Sequence, residues 1–187
     1  MKTDLKEYIK IYNIIDAEIC RQSIEQLNQC EYKQNLFYNH KTGVVSSPSG
    51  DNELLMYEGK IPNTPVLMQA IWNALQNYVT DLNFEWFSSW VGYSTVSYNR
   101  YHTNTKMALH CDHIHSIFTG EARGIPILSV VGSLNDGYTG GEFIMFDDYK
   151  IKLNPGELMV FPSNFMYPHK VNLVTSGVRD TFVSWAW

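Results

Sequence analysis

His110 and Asp112 stand two residues apart in the stretch Leu109-His110-Cys111-Asp112, and another histidine, His169, follows far downstream. In an extended chain, alternate side chains share a face. His110 and Asp112 then point one way, and Leu109 and Cys111 the other. Two imidazoles and one carboxylate can cap one face of an octahedral metal and leave three positions open, the donor set of non-haem Fe(II) centres. An H-x-D triplet arises often by chance, so the weight comes from what surrounds His169. Arg179 follows ten residues later, then Thr181, within a run of strand character. An arginine can grip a carboxylate through two parallel hydrogen bonds. It therefore suits the far carboxylate of a dicarboxylate that chelates the metal through a keto-acid end. Thr181 shares the Arg179 face by the period of two, and its hydroxyl can donate a further bond. The plain alternative for Arg179 is a surface cation beside Asp180.

Composition bounds what can carry these groups. The 187 residues suffice for one domain with a buried core, spanning 1–187. Aromatics make up 14% of the chain, which suits a sheet-rich core. A net charge of −5 disfavours nucleic acid as a partner, since phosphate binding needs a basic surface. Three widely spaced cysteines, Cys20, Cys30 and Cys111, form no disulfide framework or C-x-x-C pair. A reducing compartment is the simplest reading. The N-terminal residues lack the apolar stretch of a signal peptide, and no run reaches the roughly 18 apolar residues of a membrane span. The expectation is a soluble, cytoplasmic protein without a membrane partner.

The elements that must position the site follow in order. Tyr8 to Ile14 alternates and predicts a short strand. Asp16 is a good N-cap for a helix that ends near Asn28 to Cys30. Residues 32–62 are rich in turn formers, and 40–62 make a candidate lid loop or a plain connector. Thr64 as N-cap and Pro65 at the first helical position start a second helix ending near Leu82. From Phe84 the period changes to two. Strands are predicted over Phe84 to Val91, Ser94 to Tyr101, Met107 to Asp112, Ile125 to Leu134, Glu142 to Phe146, Lys150 to Leu153, Glu157 to Phe161, His169 to Val174 and Arg179 to Trp187. Many short strands divided by turns imply a mostly β fold, a double-stranded β-helix or jelly roll, with the N-terminal helices packed on one sheet. Residues 1–83 would then be helical support and lid, and 84–187 the jelly-roll core.

From Tyr98 to Trp187 the chain resembles the Fe(II)/2-oxoglutarate-dependent dioxygenases, in particular their prolyl 4-hydroxylase-like branch. The matching pieces begin with Tyr101 nine residues before His110, the H-x-D itself, and Ser133-Leu134-Asn135 leading to Gly140-Gly141-Glu142-Phe143. They continue with Pro155-Gly156-Glu157 running into Phe161-Pro162-Ser163, then Pro168-His169-Lys170-Val171 and Val174-Thr175-Ser176-Gly177-Val178-Arg179. The resemblance implies His110, Asp112 and His169 as iron ligands, with 2-oxoglutarate held by Arg179, Thr181 and a hydroxyl from Tyr101. It implies dioxygen as co-reactant, succinate and CO2 as coproducts, and ascorbate as a candidate reductant. The substrate would be a peptide, such as a peptidyl proline, or a small molecule. Three positions depart from the branch pattern. Arg179 stands where Lys is frequent, Asn104 where the pattern has Gly, and Met107 where an aromatic often sits. These bear on the substrate more than on the iron chemistry.

Other residues invite other readings. His113 and His115, with His110 and Cys111, suggest a zinc cluster. Structural zinc sites draw their ligands from two separated pairs, however, and only one cluster exists. Both histidines are read as polar loop residues. Cys111 is expected to turn from the metal into the core, and Trp185 to pack in the core rather than wall the pocket. The alternative to an enzyme is a non-catalytic jelly-roll binding or structural module. Loss of a triad residue would favour it, and all three are present. A cupin-like protein with another metal and no keto acid would leave Arg179 with Thr181 unexplained.

Overall fold

The computed structural model describes residues 4–39, 44–47, 50–112 and 126–187, with side chains at 37–39 excepted. Fifteen strands and two helices run along it: β1 (Lys10–Asn13), α1 (Ala17–Leu27), β2 (Lys33–Gln34), β3 (Phe37–Asn39), β4 (Val44–Ser46), β5 (Leu55–Tyr57), α2 (Thr64–Leu82), β6 (Ser97–Tyr101), β7 (Met107–His110), β8 (Leu128–Ser133), β9 (Thr139–Gly140), β10 (Phe143–Met145), β11 (Tyr149–Ile151), β12 (Glu157–Pro162), β13 (His169–Val171), β14 (Val174–Ser176) and β15 (Arg179–Ala186). A seven-stranded sheet has the order β1-β12-β8-β15-β6-β5-β2, and a four-stranded sheet the order β11-β10-β13-β7. Two strand pairs, β14-β9 and β3-β4, stand beside them. This is the expected jelly roll.

Strand period two splits the large sheet into two faces, both covered. Leu128 and Val130 of β8, Leu158 and Val160 of β12, and Phe182 and Ala186 of β15 pack with the apolar stripes of α1 and α2. Val131, Met159 and Phe161 point the other way, into a core shared with Phe143 and Met145 of β10 and Val171 of β13. The helices thus back one sheet, and the space between the sheets is left for the site. At one point the backing is close enough to demand glycine. Gly132 lies opposite Phe182 in the β8–β15 ladder, and a Cβ there would come within 2.1 Å of the Phe182 ring. Gly132→Ala is therefore expected to lower stability by roughly 1–3 kcal/mol through overpacking. Denaturant unfolding checks this, and an unchanged midpoint would show that the ring can move aside.

Several boundaries differ from expectation for local reasons. Asp16 caps α1 as predicted, accepting from the Glu18 amide at 2.7 Å. The N-cap of α2 is Asn63, not Thr64. Its amide is engaged elsewhere, donating to the Ile19 carbonyl and Ser23 hydroxyl of α1, while the Thr64 hydroxyl accepts from the Ile61 amide at 2.8 Å. Phe84 to Val91 is not a strand. Its aromatic side chains pack one by one, Phe84 on Trp86 at 4.9 Å and Trp90 on Trp72 at 6.3 Å, with only an isolated bridge between Phe84 and Phe87. The run from His169 divides into β13 and β14, the second pairing with β9. Within the candidate lid, residues 40–43 and 48–49 lie outside the described residues. Leu55–Tyr57 are built into the large sheet beside β6, so that part is sheet and not loop. No helix among the described residues is long and apolar enough to cross a membrane.

Candidate active site

The two histidines are placed by a ladder. His169 of β13 sits directly opposite His110 of β7, with ring centroids 4.3 Å apart. Each ring Nδ1 lies against a backbone carbonyl two residues earlier, His110 on Ala108 at 2.8 Å and His169 on Tyr167 at 3.0 Å. A carbonyl only accepts, so Nδ1 is the donor in each contact and Nε2 is left aimed at the cluster, the arrangement that orients metal-binding imidazoles. Both Nε2 atoms face Asp112 Oδ1, at 3.4 Å from His110 and 3.7 Å from His169. The donor atoms of all three residues lie within 4.8 Å of one another. Phe143 stacks on the His169 ring and Phe161 meets it edge-on, which fixes its plane.

Asp112 reaches this place by another route. The predicted strand through Asp112 stops at His110, and Asp112 lies in a bend beyond it. Its carboxylate is held instead from the large sheet, where the Ser129 hydroxyl of β8 donates to Oδ2 at 2.5 Å. Charge follows the same geometry. Burial works to raise the Asp112 carboxyl, but His169, His110 and the Ser129 bond outweigh it and hold it well below the usual carboxylate range. Burial, and then His110, push His169 down to about 4, so it is neutral near pH 7 and offers a lone pair. For His110 burial acts downward, yet the bond and charge of Asp112 win and raise it. Two nitrogen donors and one anionic oxygen, with the remaining side open to a cavity, fit a divalent metal of the Fe(II) kind.

The cavity is about 460 Å³ and runs from the triad to Arg179. Arg179 is 3% exposed, and no described carboxylate pairs with it. The carboxylate of Asp180 lies on the opposite face of β15 and takes Arg100 of β6 at 2.7 and 3.3 Å, so the surface-cation alternative for Arg179 fails. The guanidinium rests over the Tyr101 and Tyr138 rings at 4.8 and 6.0 Å, and its Nε has no hydrogen-bond partner. Gly141, at φ 64°, leaves it room, since a Cβ there would lie 3.2 Å from Arg179 Cδ. A buried cation without a counter-ion is costly unless an anion arrives. That fits the distal carboxylate of 2-oxoglutarate. Thr181 and Tyr101 line the same cavity. Burial, against the opposing pull of Arg179, pushes the Tyr101 phenol up to about 12, so it keeps its proton. Its hydroxyl lies 3.8 Å from the Met107 sulfur. Asn104 adopts φ 69°, a left-handed conformation that asparagine tolerates in place of glycine.

All six predicted site residues therefore face one cavity, Asn99 and Asn35 join them there, and Ser129 holds Asp112 from behind. Ser129 was missed, as were Asn99 and Asn35, whose side chains are 4% and 6% exposed and each carry an amide atom without a partner. Asn99 could have been found, since it shares the Tyr101 face by the period of two. Trp185 walls the cavity rather than packing in the core. Cys111 is a free, half-buried thiol and no part of either core. His113 and His115 lie outside the described residues.

A jelly roll with a His-Asp-His cluster opening toward a buried arginine defines a class: the mononuclear iron oxygenases that take a keto acid. Residues 96–187 match the 2OG-Fe(II) oxygenase superfamily, and over that stretch the chain is similar to it. It is similar to a PKHD-type hydroxylase of Prochlorococcus marinus (strain MIT 9301), 36% identical over 76 residues, which are 39% of this chain and 33% of that protein. It is also similar to the PKHD-type hydroxylase YbiX of Escherichia coli (strain 55989 / EAEC), 28% identical over 175 residues, or 86% of this chain and 69% of that one. The matched stretches span about a third or less of the first of these curated relatives. In fold the chain is prolyl 4-hydroxylase-like. A Pseudomonas putida prolyl-4-hydroxylase superposes with TM-score 0.67 at 17% identity, covering 96% of this chain and 91% of that one. A Trichoplax adhaerens prolyl hydroxylase, solved with a hypoxia inducible factor peptide fragment, gives 0.69 at 13%, covering 96% and 83%. The family implies Fe(II) and 2-oxoglutarate as cofactors and dioxygen as co-reactant.

Proposed function

We propose that the chain is an Fe(II)- and 2-oxoglutarate-dependent hydroxylase, folded as one unit over residues 1–187 and acting in the cytoplasm. The observation that carries this is the joining, in one cavity, of a three-donor metal cluster and a buried arginine that has no counter-ion among the described residues. His110, Asp112 and His169 would hold Fe(II), and Arg179 with Thr181 and Tyr101 would hold the distal carboxylate of 2-oxoglutarate. Held by the two histidines and Asp112, Fe(II) would supply the reaction with dioxygen, one oxygen atom going into succinate as the keto acid loses CO2 and the other into the hydroxylated substrate. The chain's own work is positional. The Nδ1–H bonds keep both imidazoles aimed, Phe143 and Phe161 exclude water behind His169, and Arg179 fixes the far end of the cosubstrate. The protonated Tyr101 phenol is the neutral donor on that wall. A peptidyl proline is the proposed substrate class, supported by the PKHD-type relatives and by the prolyl hydroxylases that share the fold. Ascorbate is the proposed reductant that restores Fe(II).

Anaerobic titration of metal-free protein with Fe(II), then 2-oxoglutarate, tests this directly. The expected result is a visible charge-transfer band that needs both components and is absent in His169→Ala. Succinate release across proline-containing and proline-free peptides then tests the substrate. No band from folded wild-type protein would favour a binding module instead.

A further inference from the structure

Asp112 lies outside the ladder that aligns the two histidines, and something else must hold it. We infer that Ser129, backed by Ser163, is the positioning residue that fixes Asp112 as a one-oxygen metal ligand. This rests on the proposed metal site. Ser129 Oγ donates to Asp112 Oδ2 at 2.5 Å, and Ser163 Oγ lies 2.7 Å from Ser129 Oγ. Both serines are 1% exposed. Since Ser129 gives its proton to the carboxylate, its oxygen is left to accept from Ser163. The chain of donors is thus Ser163 to Ser129 to Asp112.

The two carboxylate oxygens are made unequal by this. Oδ2 is occupied from the large sheet, and Oδ1 is the oxygen that faces both Nε2 atoms. A carboxylate free to swing could offer both oxygens to a metal and close one of the three open positions. With Oδ2 tied down it offers one, and the positions needed by keto acid and dioxygen stay open. The arrangement also links the sheets. Ser129 belongs to β8 of the large sheet, Ser163 follows β12 and donates its amide to the Ile127 carbonyl at 3.0 Å, and Asp112 follows β7 of the small one. The hydroxyl pair carries the register of the large sheet across to the ligand that has no ladder of its own.

Titration of metal-free protein with Co(II) alone, followed by its ligand-field absorption, reads this without turnover. Losing such an outer partner typically costs roughly 10–100-fold in metal affinity. Ser129→Ala is expected to raise the Co(II) dissociation constant by about that factor and to change the spectrum toward higher coordination number. Ser129→Thr, which keeps the hydroxyl, should restore both, and Ser163→Ala should weaken binding less than Ser129→Ala. Circular dichroism of the metal-free variants separates this from unfolding. If Ser129→Ala does not fold, the Thr and Ser163→Ala variants decide it. An unchanged Ser163→Ala, or a Ser129→Thr as weak as an unrelated core defect, overturns the inference. Wild-type affinity and spectrum in a folded Ser129→Ala overturn it while leaving the metal site standing. Failure of the wild-type protein to bind Co(II) overturns the proposed function and this inference together.

Discussion

Asp112→Ala is expected to abolish 2-oxoglutarate-dependent succinate formation. The reason is electrostatic as well as geometric. His169 is neutral in its buried setting, with its pKa pushed down to about 4, so the ligand nitrogens do little to balance a doubly charged ion. Asp112 is the one carboxylate in the cluster. Removing it leaves two imidazoles on adjacent strands and a water-filled gap beside Ser129, whose hydroxyl loses its acceptor. Losing an outer partner alone typically costs roughly 10–100-fold in metal affinity, and losing the anionic ligand should exceed that. Fe(II) retention after gel filtration and succinate yield are the measurements. The fold should survive, because Asp112 sits beyond the end of β7 and belongs to neither core cluster. A variant that kept metal and normal turnover would place the third ligand elsewhere.

How much of this was legible in the sequence depended on whether a side chain is placed by its own element. His110 and His169 are placed by strands, and strand period two exposes them. Arg179, Thr181 and Tyr101 share one face of the large sheet for the same reason, and Asn99 obeys that rule although it was passed over. Asp112 was found because H-x-D is a compact spacing, but the reason offered for it was incomplete. The strand ends at His110, and the carboxylate converges through a bond to Ser129, seventeen residues on. Such a long-range bond leaves only a faint mark, a serine within the apolar run Leu128-Ser129-Val130-Val131. Phe84 to Val91 failed in the opposite way. Its aromatic content reads as strand, yet those rings pack individually against α2 and each other, and the backbone forms an isolated bridge and a bond to Trp187 rather than a ladder. The capping of α2 was displaced by one residue because the Asn63 amide is claimed by α1, a tertiary contact that local propensity does not encode.

Arg179→Ala is expected to raise the KM for 2-oxoglutarate about 10- to 150-fold, the equivalent of one charge-assisted hydrogen-bonded pair worth roughly 1.5–3 kcal/mol. Effects on kcat should be smaller, since the tail contact is made in ground state and transition state alike. The stability of the ligand-free protein gives a second and opposite readout. Arg179 is 3% exposed, its Nε has no partner, and Asp180 is committed to Arg100. Truncating a buried charge with no counter-ion among the described residues removes a desolvation cost, so the thermal midpoint without ligand should hold or rise. In wild-type protein, saturating 2-oxoglutarate with metal should raise the midpoint, because a ligand that binds only the native state stabilises it. In Arg179→Ala at the same concentration most of that rise should vanish. An arginine kept for structure would give the reverse, a lowered midpoint without ligand and an intact response to 2-oxoglutarate. Arg179→Lys separates charge from shape. It retains the cation but loses the planar fork, and its KM should fall between the two.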